Sequence, residues 1–92
     1  MAEIRLLAHV RGCVQGVGFR YSTSLKAREL GIHGWVRNRP DGSVESYICG
    51  DGMQIKAMQD WLGHGPTGAH VESVTYSPLE LTEPINDFSV RV

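Results

Sequence analysis

The sequence predicts an α+β fold: a ferredoxin-like split βαβ sandwich in which two helices cover one face of an antiparallel sheet. Three observations predict it. Strand-like alternation and helix-like periodicity follow one another in the order strand, helix, strand, strand, helix, strand, with a short terminal strand added. The stretch Arg39-Pro40-Asp41-Gly42 is a turn that joins the second and third strands as a hairpin. Glycine closes the first helix at Gly31, and Gly63-His64-Gly65-Pro66 closes the second.

Residues 4–10 alternate, with Leu6, Ala8 and Val10 on one face and Arg5, Leu7 and His9 on the other, as in a strand with one buried face. A glycine loop, Gly12 to Gly18, follows. From Phe19 to about Leu30 neither proline nor glycine intervenes, and Leu25, Lys26, Ala27, Arg28 and Glu29 favour a helix. At helical spacing Phe19, Thr23, Ala27 and Leu30 share a stripe, with Tyr21 and Leu25 off it. The helix starts either at Phe19, with Gly18 as N-cap, or after Ser22, whose hydroxyl could cap it. His33 to Asn38 reads as a short strand, and Val44 to Cys49 alternates as its hairpin partner. Asp51-Gly52 opens a helix at roughly 53–63, where Ile55, Met58 and Leu62 form an apolar face flanked by Trp61. Val71 to Tyr76 is a further strand and Phe88 to Val92 a short last one, with Pro78 and Pro84 keeping the connection between them irregular.

This topology carries a spatial expectation. The first two strands run parallel, with the third between them and opposed, so their C-terminal ends share one edge of the sheet. The glycine loop follows the first strand and Asn38 ends the second. The two are expected side by side, although a helix separates them in sequence.

Ninety-two residues, 41% of them apolar, suffice for one core and one domain, residues 1–92. A net charge of −1 and a pI near 6.4 argue against unspecific binding to nucleic acid or anionic membrane. No apolar run has the length of a membrane span, and the start Met1-Ala2-Glu3-Ile4-Arg5 lacks the shape of a signal peptide. A cytoplasmic monomer is the expectation. Cys13 and Cys49 are too few for a disulfide scaffold.

The loop Gly12-Cys13-Val14-Gln15-Gly16-Val17-Gly18-Phe19-Arg20 has the makings of an anion cradle. Glycine permits positive φ and close approach, and a helix start presents free N–H groups and the positive end of the dipole. The same stretch resembles the first signature of the acylphosphatase family. Gly34-Trp35-Val36-Arg37-Asn38, followed by Asp41-Gly42-Ser43-Val44, resembles the second. The resemblance runs from the first strand to near the C-terminus and is weakest from Gly63 to Val92. It implies hydrolysis of small acyl phosphates, such as acetyl, carbamoyl or glycerate-linked ones, to a carboxylate and inorganic phosphate, without metal or cofactor. It also implies that Arg20 binds phosphate and Asn38 holds the attacking water.

The residues suit that chemistry. Phosphoryl transfer to water needs positioning and charge stabilisation more than covalent help. Arg20 supplies a planar fork of donors. The backbone N–H groups of Gln15, Gly16, Val17, Gly18 and Phe19 would hold the remaining oxygens. The Asn38 carbonyl can accept from a water and orient it in line. The leaving carboxylate has a conjugate acid of pKa about 4, so no general acid is required. The substrate phosphate is the expected acceptor of the water's proton.

Other residues read more plainly. Arg11, Arg37 and Arg39 are expected as solvated charges with steering as a secondary effect. Trp35 and Trp61 read as packing residues, and Gln15 as a hydrogen-bonding loop residue. His9, His33, His64 and His70 show no metal-ligand spacing and read as surface or loop residues. Cys13 has no activating base and reads as packing, not as a nucleophile. It follows the first strand while Cys49 ends the opposed third, so the two are expected at opposite sheet edges as free thiols. Two other functions compete. One is a non-catalytic anion-binding or carrier module, similar to acylphosphatase-like domains inside larger carbamoyl-transfer proteins; a chain ending at Val92 weighs against it. The other is an RNA-binding domain of this topology, which would want a basic surplus and aromatics on the central strands. The first strand has none and the third only Tyr47.

Overall fold

The hairpin turn sets the sheet. The Arg39 N–H donates to the Ser43 carbonyl (2.8 Å), the Gly42 N–H to the Arg39 carbonyl (3.2 Å), and Asp41 Oδ1 accepts from the Ser43 N–H (2.9 Å). These bonds fold β2 (His33–Asn38) back on β3 (Val44–Gly50) as an antiparallel pair. β1 (Ile4–Cys13) pairs antiparallel on the other side of β3, so β1 and β2 point the same way and end at one edge. The computed structural model describes residues 3–81 and 84–92. Met1 and Ala2 lie outside the described residues, as do Thr82 and Glu83 in the connection expected to be irregular.

β4 (His70–Pro78) adds antiparallel to β1, and β5 (Phe88–Val90) adds to β2, giving the order β4-β1-β3-β2-β5. Four strands are antiparallel as expected, but β5 runs parallel to β2, so the sheet is mixed at that edge. The cause lies in the connection. β4 and β5 occupy opposite edges, and the chain after Pro78 has to cross a face of the sheet to join them. It does so with apolar side chains: Leu79, Leu81 and Ile85, together with Leu7 of β1, pack on Trp35, Tyr47 and Cys49. The face away from the helices is therefore covered, and β3 is buried along its whole length.

β1 runs on to Cys13, where alternation suggested an end at Val10. A bulge between Arg11 and Gly12 lets the strand continue against β4. Gly12 has φ +133°, and a Cβ there would stand 2.1 Å from the His70 carbonyl oxygen. It belongs to the strand, where it admits the neighbouring backbone, and not to the loop.

The helices lie on the other face. α1 (Phe19–Leu30) starts at Gly18, which sits in the left-handed region and offers no side-chain cap; the alternative start after Ser22 is not adopted. Phe19, Thr23, Ser24 and Ala27 are buried, and the Thr23 hydroxyl donates to the Phe19 carbonyl (2.7 Å), so the stripe's polar members are satisfied locally. α2 (Gly52–Leu62) starts in a full capping box between Asp51 and Gln54. It buries Ile55, Met58 and Leu62, each worth roughly 1.5–3 kcal/mol against exposure. Trp61 is half-buried against Phe19, ring centroids 5.8 Å apart. Ala8, Val10, Val36, Val44, Ile48 and Phe88 complete the core between helices and sheet.

Candidate active site

The loop after β1 is pinned at both ends and at its middle. Val14 is buried in the core and Phe19 closes the far end. Between them Gln15 Nε2 donates to the carbonyls of Arg39 (2.7 Å) and Ser43 (2.8 Å). The Gln15 side chain is thus a staple that ties the loop to the hairpin turn directly after Asn38. Gly16 and Gly18 both have φ near +75°, with no atom within 4 Å of where a Cβ would stand. Their need is for a left-handed backbone, not for close packing. Among the described residues, no backbone carbonyl accepts from the N–H groups of Gln15, Gly16, Val17, Gly18 or Phe19.

Arg20, in the first turn of α1, and Asn38, at the end of β2, line one pocket with Gly16 and Gly18. Its volume is about 210 Å³. The loop and Asn38 therefore lie side by side, as the topology requires. The Val17 side chain turns inward against the core. Two roomier clefts of about 460 Å³ lie elsewhere, one among Glu3, Arg5, Tyr47 and Cys49, the other between α2 and β4. Neither collects a guanidinium, an amide and free loop N–H groups.

Of the pocket's polar side chains, Arg20 is held from behind. Arg20 Nη1 donates to the Arg91 carbonyl (2.9 Å), and the Arg91 N–H donates to the Val36 carbonyl (2.8 Å). The Arg91 guanidinium lies 4.8 Å over the Trp35 ring. The tail beyond β5 thus fixes one nitrogen of the Arg20 fork and leaves its other donors free. Asn38 Oδ1 is buried with no hydrogen-bond partner among the described residues, an acceptor that gains from any donor brought to it.

Beside the pocket, the arginines expected as solvated charges do keep exposed side chains, but two of them also share a buried partner. Arg37 and Arg39 both bind the buried carboxylate of Glu45, at 2.6 Å and 2.9 Å, so one of their two positive charges is compensated. Arg37 also lies 5.3 Å over Trp35, which is buried and stacks with Tyr47. Arg11 stays exposed, 4.0 Å from Asp41. Sequence reasoning missed both Glu45 and Arg91.

Both cysteines are free, as expected, and lie toward opposite ends of β1 and β3. Cys13 is exposed, which corrects its reading as a packing residue: it ends β1 after the bulge has turned the strand. Cys49 is buried on the covered face, donates to Glu3 Oε1 (2.7 Å), and has its thiol pushed up to about 11, chiefly by burial. His9 is half-buried in β1, with Nε2 2.7 Å from Ser43 Oγ. His33 and His70 open β2 and β4, and His64 Nδ1 meets the Asp60 carbonyl at 2.8 Å. Among the described residues no three His, Cys, Asp or Glu side chains group as a metal site would need, and no helix is long and apolar enough to cross a membrane.

Comparison with known proteins points one way. The family model described as Acylphosphatase matches residues 6–90. An acylphosphatase of Pseudomonas paraeruginosa is 50% identical over 91 residues, 99% of each chain. One from Marinobacter nauticus is 49% identical over 79 residues, 86% of each chain. The solved structure of an acylphosphatase from Coxiella burnetii superposes with a TM-score of 0.90 at 40% identity, over 97% of this chain and 93% of that one.

Proposed function

The chain belongs to the acylphosphatase family, enzymes that hydrolyse acyl phosphates, and from that premise we propose that hydrolysis runs in the small pocket, with Arg20 and the loop N–H groups on the phosphate and Asn38 on the water. One observation carries the reading. A guanidinium with free donors, an amide with an unpaired acceptor and a run of unpaired N–H groups meet at one cavity.

The phosphate dianion enters the cradle formed by Gln15 to Phe19. There the helix start and the N–H groups hold its oxygens without reorganising. Arg20 adds two parallel charged hydrogen bonds and neutralises the equatorial oxygens. The carbonyl of Asn38 accepts a hydrogen bond from the water and so points the water's lone pair at phosphorus. The new oxygen–phosphorus bond forms as the bond from phosphorus to the carboxyl oxygen breaks. The carboxylate departs with the electron pair, and the water's proton passes to a phosphate oxygen. The products are one carboxylate and one inorganic phosphate. No residue becomes covalently modified, and no metal, cofactor or nucleic acid enters the scheme. Gln15, Glu45 and Arg91 act as positioning residues.

Acetyl phosphate assayed for phosphate release tests the proposal and separates it from a carrier module, which would bind phosphate and release none. Arg20→Ala is expected to raise KM and lower kcat together, with kcat/KM down by about 10²- to 10³-fold. The fork grips phosphate in the ground state and the transition state alike. Undiminished turnover by that variant would overturn the assignment.

A further inference from the structure

The Gln15 staple is only as firm as the two carbonyls that hold it. They belong to Arg39 and Ser43, the two ends of the hairpin turn. The Ser43 carbonyl accepts twice, from Gln15 Nε2 and from the Arg39 N–H (both 2.8 Å). Ser43 is 3% exposed in spite of its place in a turn. Whatever holds Ser43 therefore bears on the loop.

The Ser43 hydroxyl lies between two groups. Asp41 Oδ1 stands 2.5 Å from it and His9 Nε2 2.7 Å. A hydroxyl has one proton to give. Asp41 is held below the usual carboxylate range, chiefly by this hydroxyl, so it is ionised and only accepts. The Ser43 proton goes to Asp41, and the hydroxyl oxygen is left to accept. His9 therefore donates through Nε2. In β1 His9 stands opposite Glu45 of β3 and Thr75 of β4. The Glu45 carboxylate is taken by Arg37 and Arg39, and His9 reaches diagonally past it to Ser43, just ahead of β3. The contact ties the strand that leads into the loop to the turn that pins the loop's middle.

We infer that His9 is a positioning residue for phosphate binding: its Nε2–H holds Ser43, and through the Ser43 carbonyl it sets the Gln15 staple and the cradle. The inference rests on the reading of the pocket given above. Asn38 is held separately, in the ladder opposite Val44, so the effect falls on binding and not on kcat. Calorimetry with inorganic phosphate gives Kd, and acetyl phosphate gives KM and kcat. His9→Leu, which keeps the bulk and loses the donor, raises Kd and KM together about two- to tenfold, the size of one hydrogen bond, and leaves kcat within a small factor. His9→Gln, which returns an N–H donor at similar reach, restores both. On a Gln15→Ala background His9→Leu has no further effect, because the staple it acts through is gone. Unchanged Kd and KM in His9→Leu overturn the inference. So does a His9→Gln variant that behaves like His9→Leu, and so do losses from His9→Leu and Gln15→Ala that simply multiply. If His9→Leu does not fold, His9→Val, a better strand former, takes its place in each comparison. An unsubstituted protein that neither binds phosphate nor hydrolyses acetyl phosphate overturns the pocket reading, and the role of His9 with it; the other outcomes against His9 leave the pocket reading standing.

Discussion

Asn38 carries the sharpest claim at the scale of single residues. In the proposed scheme it holds the water, not the phosphate, so its amide would act on the transition state more than on ground-state binding. Asn38→Ala is expected to lower kcat for acetyl phosphate by about 10²-fold or more and to leave KM within a small factor. A raised KM with kcat intact would assign the amide to phosphate binding instead. That Asn38 and Arg20 share one pocket was legible in the sequence, because their neighbours form two recognisable signatures and the topology brings those signatures together. Arg91 was not. It acts through its backbone carbonyl, which every residue possesses, so no side-chain signal exists. Glu45 was hidden for another reason. A carboxylate in an alternating strand usually marks a solvent face, but β3 is central and covered on both sides, and two guanidinium groups meet the charge there. Cys13 misled because the bulge before it was invisible.

Among the elements, the tail after β5 has an importance its length conceals. It joins the sheet through the Arg91 N–H, stacks on Trp35, and offers Arg20 its carbonyl. Deleting Arg91 and Val92 removes one hydrogen bond to a charged group, about 1.5–3 kcal/mol, and lets the fork swing. The expected result is a fall in kcat/KM for acetyl phosphate of about tenfold or more, read chiefly in KM. An unchanged KM in the truncated protein would mean that the loop alone positions Arg20. The limits of α1 and β2 could be read directly, because Gly18, Gly31 and the Pro40-Asp41-Gly42 turn are local signals with local causes. The end of β1 could not. Gly12 looks like a loop glycine in sequence, and its role in admitting the β4 backbone depends on a strand some sixty residues later.

At the scale of the whole molecule, both sheet faces are covered, and the burial shows in the titration of the groups beneath. Burial pushes Cys49 up to about 11 and Tyr76 to about 12, and raises Tyr47 as well. Each is held protonated by the fold and ionises more readily in the unfolded chain. Their contribution is therefore complete below about pH 9 and is lost as pH rises towards 11 and 12. Urea midpoints measured at pH 7, 9.5 and 11 should fall across the last two; a midpoint held to pH 11 would contradict this. At the acid end the sign reverses, since hydrogen bonds from Ser43 hold Asp41 below its usual range. The helix-covered face was foreseen from two amphipathic patterns. The second cover was not, because Leu79, Leu81 and Ile85 sit in a proline-flanked connection without periodicity. The central claim concerns which bond breaks, and hydrolysis of acetyl phosphate in ¹⁸O-labelled water tests it most directly. Attack at phosphorus by the water on Asn38 puts one labelled oxygen into inorganic phosphate and none into acetate. Label in the acetate would place the attack at the carbonyl carbon and contradict the account.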